Sequence, residues 1–188
     1  MSRIVYRHEN PTRFIVGTVG QPGERQFFLQ ISSPEGVNTV SVEKSQVIAL
    51  VERIQEMLKE LKRNQLASLD EINLPSERYS GILEFPIEED FRVGVIGISW
   101  LQDQQRILIE AQSIGDESLI ELLSEDETSF MEDAPDLLTI SLRISQARGF
   151  VHQASDVVSA GRQACPFCGL PVNPVSYTHL TLPTKRIV

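Results

Sequence analysis

One stretch of this chain occurs twice, at positions that differ by 100. Thr39-Val40-Ser41-Val42-Glu43-Lys44-Ser45-Gln46 returns as Thr139-Ile140-Ser141-Leu142-Arg143-Ile144-Ser145-Gln146, with Thr, both Ser and Gln kept in place. In each copy alternating apolar and polar residues give way to a helical pattern, which reads as a strand running straight into a helix. The match extends in both directions. Upstream, Phe14-x-Val16-Gly17-x-Val19-Gly20 is answered by Phe91-x-Val93-Gly94-x-Ile96-Gly97. Downstream, Val47, Leu50, Val51, Ile54 and Leu58 are answered by Ala147, Phe150, Val151, Ala154 and Val158. Two such units are fewer than a solenoid needs. The expected fold class is therefore α+β. It is a mainly antiparallel sheet built from two β-β-β-α pseudo-repeats about a pseudo-twofold, with both helices on one face.

Taken in order, Arg3 to His8 reads as an edge strand and Phe14 to Gly20 as a strand. Pro22-Gly23 marks a turn, because Pro presets φ and Gly accepts φ > 0. Gln26 to Ile31 and Val37 to Val42 complete a meander. A helix follows from about Lys44 to Asn64, with Val47, Leu50, Val51, Ile54, Leu58 and Leu61 on one face. Residues 65–81 lose periodicity and read as a linker, followed by a short strand over Ile82 to Ile87 interrupted at Pro86. Strands are expected over Phe91 to Trp100, Arg106 to Ile114 and Leu137 to Leu142, then a helix from Ser145 to about Gly161. Domain organisation follows: residues 1–162 form the duplicated domain, with repeat one at about 13–64 and repeat two at about 91–161. Ser45 and Ser145 are the expected helix N-caps, with no Glu or Gln three residues later to complete a capping box. Gly17, Gly20, Gly94 and Gly97 interrupt strands and imply a bulge, a bend or a close approach. They are not a nucleotide fingerprint, since another strand, not a helix, follows each pair.

Charge narrows the partners. The net charge of −9 gives no basic face for phosphates, so nucleic acid is not an expected partner. The acidity concentrates between Asp116 and Asp136, which carries nine carboxylates and no Lys or Arg. That block reads as a solvated loop, and it lacks the spacing and central Gly of a calcium loop. No apolar run approaches the roughly 20 residues that span a bilayer. The residues after Met1 lack the apolar core of a signal peptide, which places the protein in the cytoplasm.

Cys165-Pro166-Phe167-Cys168-Gly169 is the most specific short motif. Two Cys two residues apart with Gly after them form half of a tetrahedral structural zinc site, so Cys165 and Cys168 are the candidate metal ligands and Zn2+ the candidate cofactor. A redox pair and plain free thiols are the competing readings. A redox pair usually follows a strand and opens a helix, whereas Cys165 follows a helix and precedes Gly-Leu-Pro. Residues 163–174 form this half knuckle. After it, His179 is the one further candidate ligand, within residues 175–188, which resemble translated sequencing-adapter read-through rather than native sequence. His8 near a strand end and His152 on the solvent side of the second helix read as structural. No serine elbow, zinc-protease helix or paired acid and base is present, so no catalytic residue is assigned.

The run Phe14 to Gln30, the step Ser41-Val42-Glu43-Lys44-Ser45-Gln46-Val47, and Ala147-Arg148-Gly149-Phe150 followed by Cys165-Pro166-Phe167-Cys168-Gly169 together resemble an actinobacterial and chloroflexal family, domain of unknown function family 3090. The resemblance covers residues 3–174 or so. It implies a continuation beyond the first Cys pair carrying His and a further Cys, then Pro-Arg and a basic end, which would complete a Cys3His site. This chain departs from that pattern after about Pro174. The family has no established activity; its genes tend to lie near a histidine-phosphatase-like protein and a lipid-kinase-like protein.

The expected function is a non-enzymatic adaptor or regulatory binding protein with a structural zinc-type Cys pair and a protein partner that the sequence does not identify. The alternative is a small-molecule-binding protein or enzyme with a pocket at the junction of the repeats, lined by Arg25, Arg92, Arg106 and Trp100.

Overall fold

The computed structural model describes residues 3–21, 23–114 and 134–160. Its elements are β1 (Val5–His8), β2 (Arg13–Val19), β3 (Gln26–Ser33), β4 (Gly36–Val42), α1 (Lys44–Arg63), α2 (Leu69–Asn73), β5 (Phe91–Leu101), β6 (Arg106–Ser113), β7 (Leu137–Leu142) and α3 (Ile144–Ser159). Three antiparallel strands followed by a helix are met twice, as β2-β3-β4-α1 and β5-β6-β7-α3. The strands form one sheet in the order β1-β7-β6-β5-β4-β3-β2. It is mixed rather than purely antiparallel, because β4 pairs with β5 in parallel and β1 with β7 in parallel. No helix among the described residues is long and apolar enough to cross a membrane.

The sheet is strongly rolled. At ~4.8 Å per strand, six spacings would hold β1 and β2 about 29 Å apart in a flat sheet. The chain from His8 to Arg13 spans five steps, about 18 Å at most. The two edges must therefore curl towards each other, and side chains meet across the gap. His8 Nδ1 lies 2.7 Å from Ser33 Oγ and its Nε2 2.9 Å from Asn38 Oδ1, while the rings of Tyr6 and Phe91 are 6.1 Å apart. β1 and β2 are thus two legs of one bent strand, the first on β7 and the second on β3. His8 is fully partnered and belongs to this closure.

The inner face of the roll alternates with the pleat: Phe14 and Val16 on β2, Leu29 and Ile31 on β3, Ile107 and Ile109 on β6, Leu138 and Ile140 on β7. It packs on one face of each helix, Val47, Leu50, Ile54 and Leu61 of α1 and Ile144, Ala147, Phe150 and Ala154 of α3, in one continuous core. Phe150 stacks on Phe14 with ring centroids 4.2 Å apart. Each fully buried side chain of this size is worth about 1.5–3 kcal/mol of transfer free energy.

The first helix begins at Lys44 as expected and the second at Ile144, one residue early, but neither is capped by the expected serine. Their N-caps are Glu43 and Arg143, directly after the strands, so Ser45 and Ser145 fall inside the first turn. Gln46 and Gln146 then stand at the third helical position, and each accepts the cap backbone N–H on its side-chain oxygen, at 2.8 and 2.9 Å. This is the glutamine half of a capping box, which the expectation of serine caps had excluded. Two further corrections fall in the connection. Residues 65–81 contain the short helix α2, whose Ser68 hydroxyl accepts the Glu71 N–H. Ile82 to Ile87 is irregular backbone, not a strand.

That irregular stretch is nonetheless firmly held. Gln30 takes both backbone groups of Glu84, accepting its N–H at 2.8 Å and donating to its carbonyl at 3.1 Å. Arg13 forms an ion pair with Glu84 at 2.9 Å and donates to the Ser80 carbonyl at 3.1 Å. Leu83 packs with Ile15 and Phe28 on the outer face of the sheet. The seat for Leu83 is Gly17, where an added Cβ would stand 2.2 Å from the Leu83 Cγ. Gly94 serves a different purpose, lying at a register shift between Val93 and Val95 of β5. Both glycines thus meet conditions set out for strand glycines, one a close approach and the other a bulge.

Candidate functional site

Each long helix lies beside a strand edge that no other strand covers among the described residues. For α3 that edge belongs to β2. Gln153 reaches across and holds both backbone groups of Val16, accepting the N–H at 2.9 Å and donating to the carbonyl at 2.7 Å. Gln146 donates to the Pro11 carbonyl at 2.6 Å. The crevice above is filled by the connection. Glu77 N–H donates to the Ser145 carbonyl at 3.1 Å, and Arg143 pairs with the Glu77 carboxylate at 2.9 Å. The backbone oxygen of Glu77 passes so close to α3 that a Cβ on Gly149 would stand 2.3 Å from it. The Tyr79 hydroxyl donates to Glu77 at 2.8 Å. Burial, and after it the neighbouring Glu77 carboxylate, push the Tyr79 phenol well above its ordinary pKa.

For α1 the edge belongs to β5, and among the described residues nothing fills the crevice. β4 pairs with β5 only at Val40–Phe91 and Ser41–Arg92, then turns into α1. Gln46 donates to the carbonyls of Val93 and Gly94, at 3.2 and 3.1 Å. Beyond that point lies a groove of about 460 Å3 lined by Gln46, Ala49, Leu50 and Arg53 of α1 and by Gly94, Val95, Ile96 and Ile98 of β5.

A second hollow, of about 480 Å3, adjoins the start of α1 where the two halves meet. Its walls are residues 24–27, 41–44, Glu89 and Arg92. Arg25, Lys44 and Arg92 face it alongside Glu24, Glu43 and Glu89, so its charges balance. Arg92 is paired with Glu43, and Arg25 donates to the Ala160 carbonyl at 3.0 Å. An ion or dipolar molecule would have to compete with these existing pairs.

Of the four residues expected around a junction pocket, Arg25 and Arg92 are brought together in this hollow. Arg106 and Trp100 are not: they stand at the other end of the β5–β6 hairpin, where Leu101 pairs with Arg106 and Trp100 with Ile107. A long strand carries its two ends to opposite rims of the roll, and linear spacing does not register this. Cys165, Cys168 and His179 lie outside the described residues, as does most of the acidic block. Of that block, Asp136 is described, accepting the Ile4 N–H at 2.8 Å. His152 is exposed on α3. Among the described residues there is no group of three or more His, Cys, Asp or Glu placed to hold a metal ion. The Cys3His set implied by the family resemblance needs four donors, whereas Cys165, Cys168 and His179 supply three, one short of a closed tetrahedral site. The groove was not foreseen. The signal for it was available in the length of the strand that opens at Phe91, 11 residues against the 7 of its partner β4.

No curated protein and no solved structure matches the chain. One family model, described as "Protein of unknown function (DUF3090)", matches residues 6–180.

Proposed function

The chain belongs to the DUF3090 family, and from that premise we propose that it is a non-enzymatic binding protein of the cytoplasm, an adaptor or regulator that holds a protein partner. The observation that supports this reading is the inequality of the two crevices. The one between α3 and β2 is filled by the chain's own connection, while its counterpart between α1 and β5 leaves Val95, Ile96 and Ile98 half-buried beside an open groove. Apolar strand edges of this kind invite another chain. We take the two β-β-β-α units to be copies from an internal duplication, in which one copy has kept its crevice for a partner. Affinity capture with the full chain tests the reading. A partner is expected to be retained by the wild type and to co-purify in stoichiometric amount. A thermal-shift screen against nucleotides and sugar phosphates is expected to give no stabilising ligand.

A second reading rests on the hollow at the junction, where Arg25, Lys44 and Arg92 converge. It makes the protein a receptor for a small anionic or zwitterionic molecule. A stabilising metabolite whose effect disappears in Arg92→Ala would favour it over the first. For Cys165 and Cys168 we propose a structural Zn2+ role, completed by donors that this chain does not itself supply in full. Metal analysis of protein purified without chelator checks this: less than one zinc in ten chains would leave free or redox-active thiols.

A further inference from the structure

The filled crevice shows what the open one is shaped to take. Residues 77–83 lie along α3, with Glu77 against Ser145 and Gly149, Gly81 against Gln153, and Leu83 seated on Gly17. Gln146, Gly149, Phe150 and Gln153 stand 100 positions after Gln46, Ala49, Leu50 and Arg53, which form the α1 wall of the open groove. Gly94 holds the place of Gly17 in the matched strand motif, but it is covered by the chain itself, since a Cβ there would stand 3.2 Å from the Cα of Ile114, so the apolar floor of the open groove lies further along β5. We propose that the α1–β5 groove is a peptide-binding site that takes an extended segment of a partner protein, laid along β5 with an aliphatic side chain anchored against Ile96 and Ile98. This rests on the binding-protein reading and names its site and ligand class.

The extended form follows from the edge. β4 lies parallel to β5 at Phe91 and Arg92 and then leaves it. From Val93 to Leu101 the edge that faced β4 has no strand beside it among the described residues. A peptide there continues the place β4 vacated, with main-chain bonds giving affinity and alternate side chains entering the groove. The anchor is apolar because Leu50, Ile96 and Ile98 form the floor.

A partner fits better than the two internal occupants. Ala49 replaces Gly149, so its methyl stands where the close backbone approach of Glu77 would occur. The chain's own connection, or that of another molecule, cannot repeat its pose here without moving outward. A second copy offering its β5 edge brings its own α1 along that same edge, so two helices would have to be accommodated beside one added strand. Arg53, exposed at the rim where Gln153 is buried, is paired with Glu56 at 3.2 Å on the exposed surface of α1, and a carboxylate beside the anchor would share that guanidinium.

The test pans short random peptides against the full chain. Ala49 is exposed and Ile96 half-buried, so Ala49→Trp and Ile96→Lys are expected to leave the fold intact, as checked by circular dichroism and melting. Enriched peptides should carry an aliphatic residue with acidic neighbours. Their affinity should fall about tenfold or more in either variant, the scale of one lost anchor. Hydrogen exchange should slow, only when peptide is added, at those amides of Val95 to Leu101 that point away from β6. No enrichment, or binding that ignores both variants, overturns the proposal. So does slow exchange, without peptide, of those amides that point away from β6: if independent of concentration it assigns the groove to a segment of this chain, and if growing with concentration to a second copy. A captured partner that survives both variants sinks the groove and leaves the binding-protein reading standing. Absence of any captured partner sinks that reading as well.

Discussion

At the scale of residues, amides do much of the fastening. Gln153 answers both the N–H and the carbonyl of Val16, Gln30 both those of Glu84, and Gln46 and Gln146 each join a helix cap to distant backbone. One carbonyl and one NH2 on a short stem match the donor and acceptor of a backbone residue, and no other side chain except Asn offers that pair. Gln153 is buried, so Gln153→Ala leaves two buried backbone groups unpaired. The expected loss is about 2–6 kcal/mol, from ~1–3 for each orphaned group, measured by urea unfolding. Gln153→Glu should be no better at neutral pH, because a carboxylate cannot donate to the Val16 carbonyl. Tyr79 adds a pH dependence with a definite sign. Its folded pKa is raised above the ordinary 10.0, so the unfolded chain ionises first and binds fewer protons. Stability is full below about pH 10 and falls as pH rises beyond it. In Tyr79→Phe that alkaline decline should flatten, as followed by melting between neutral and alkaline buffer. The glutamines were visible in the sequence as the recurring Ser-Gln step, but serine's general preference for the cap position drew attention one residue away from the group that caps.

Elements were legible wherever one face of a strand or helix is buried, because burial imposes the period. The strands β2 to β7 and the helices α1 and α3 stand within about two residues of their expected bounds. α2 escaped because five residues are too few to show a period; its sign was Ser68 followed by Glu71, a capping spacing. The stretch from Glu77 to Asp90 was read as linker and strand, yet it is irregular backbone secured by side chains, with Asp90 N–H on the Thr39 carbonyl at 2.8 Å and the Asp90 carboxylate on Thr39 N–H at 2.8 Å. No local pattern encodes such a path. Leu83 is its one deeply buried aliphatic contact with the sheet. Leu83→Ala should cost about 2–4 kcal/mol, the usual range for a core leucine, and should loosen the filled crevice so that Val16 exchanges its amide proton faster.

The whole molecule was the least legible scale, because its closure depends on partners far apart in the chain. β1 pairs with β7 across more than 130 residues, Val5 opposite Leu137, and nothing near Val5 announces it. The core is continuous through both halves, so neither half can keep its interior dry without the other. A single cooperative thermal transition is expected, with far-ultraviolet circular dichroism and Trp100 fluorescence giving coincident midpoints; two separated transitions would show independent halves. The closure also has a consequence for biosynthesis. Chain growth delivers β1 first, but the strand it needs is made after most of the protein has been translated. A nascent chain on the ribosome can zip up β2, β3 and β4 early, since their turns are short. It must carry β1 as an unpaired edge until β7 emerges, and the late-made end of the domain then seals the work of the early one.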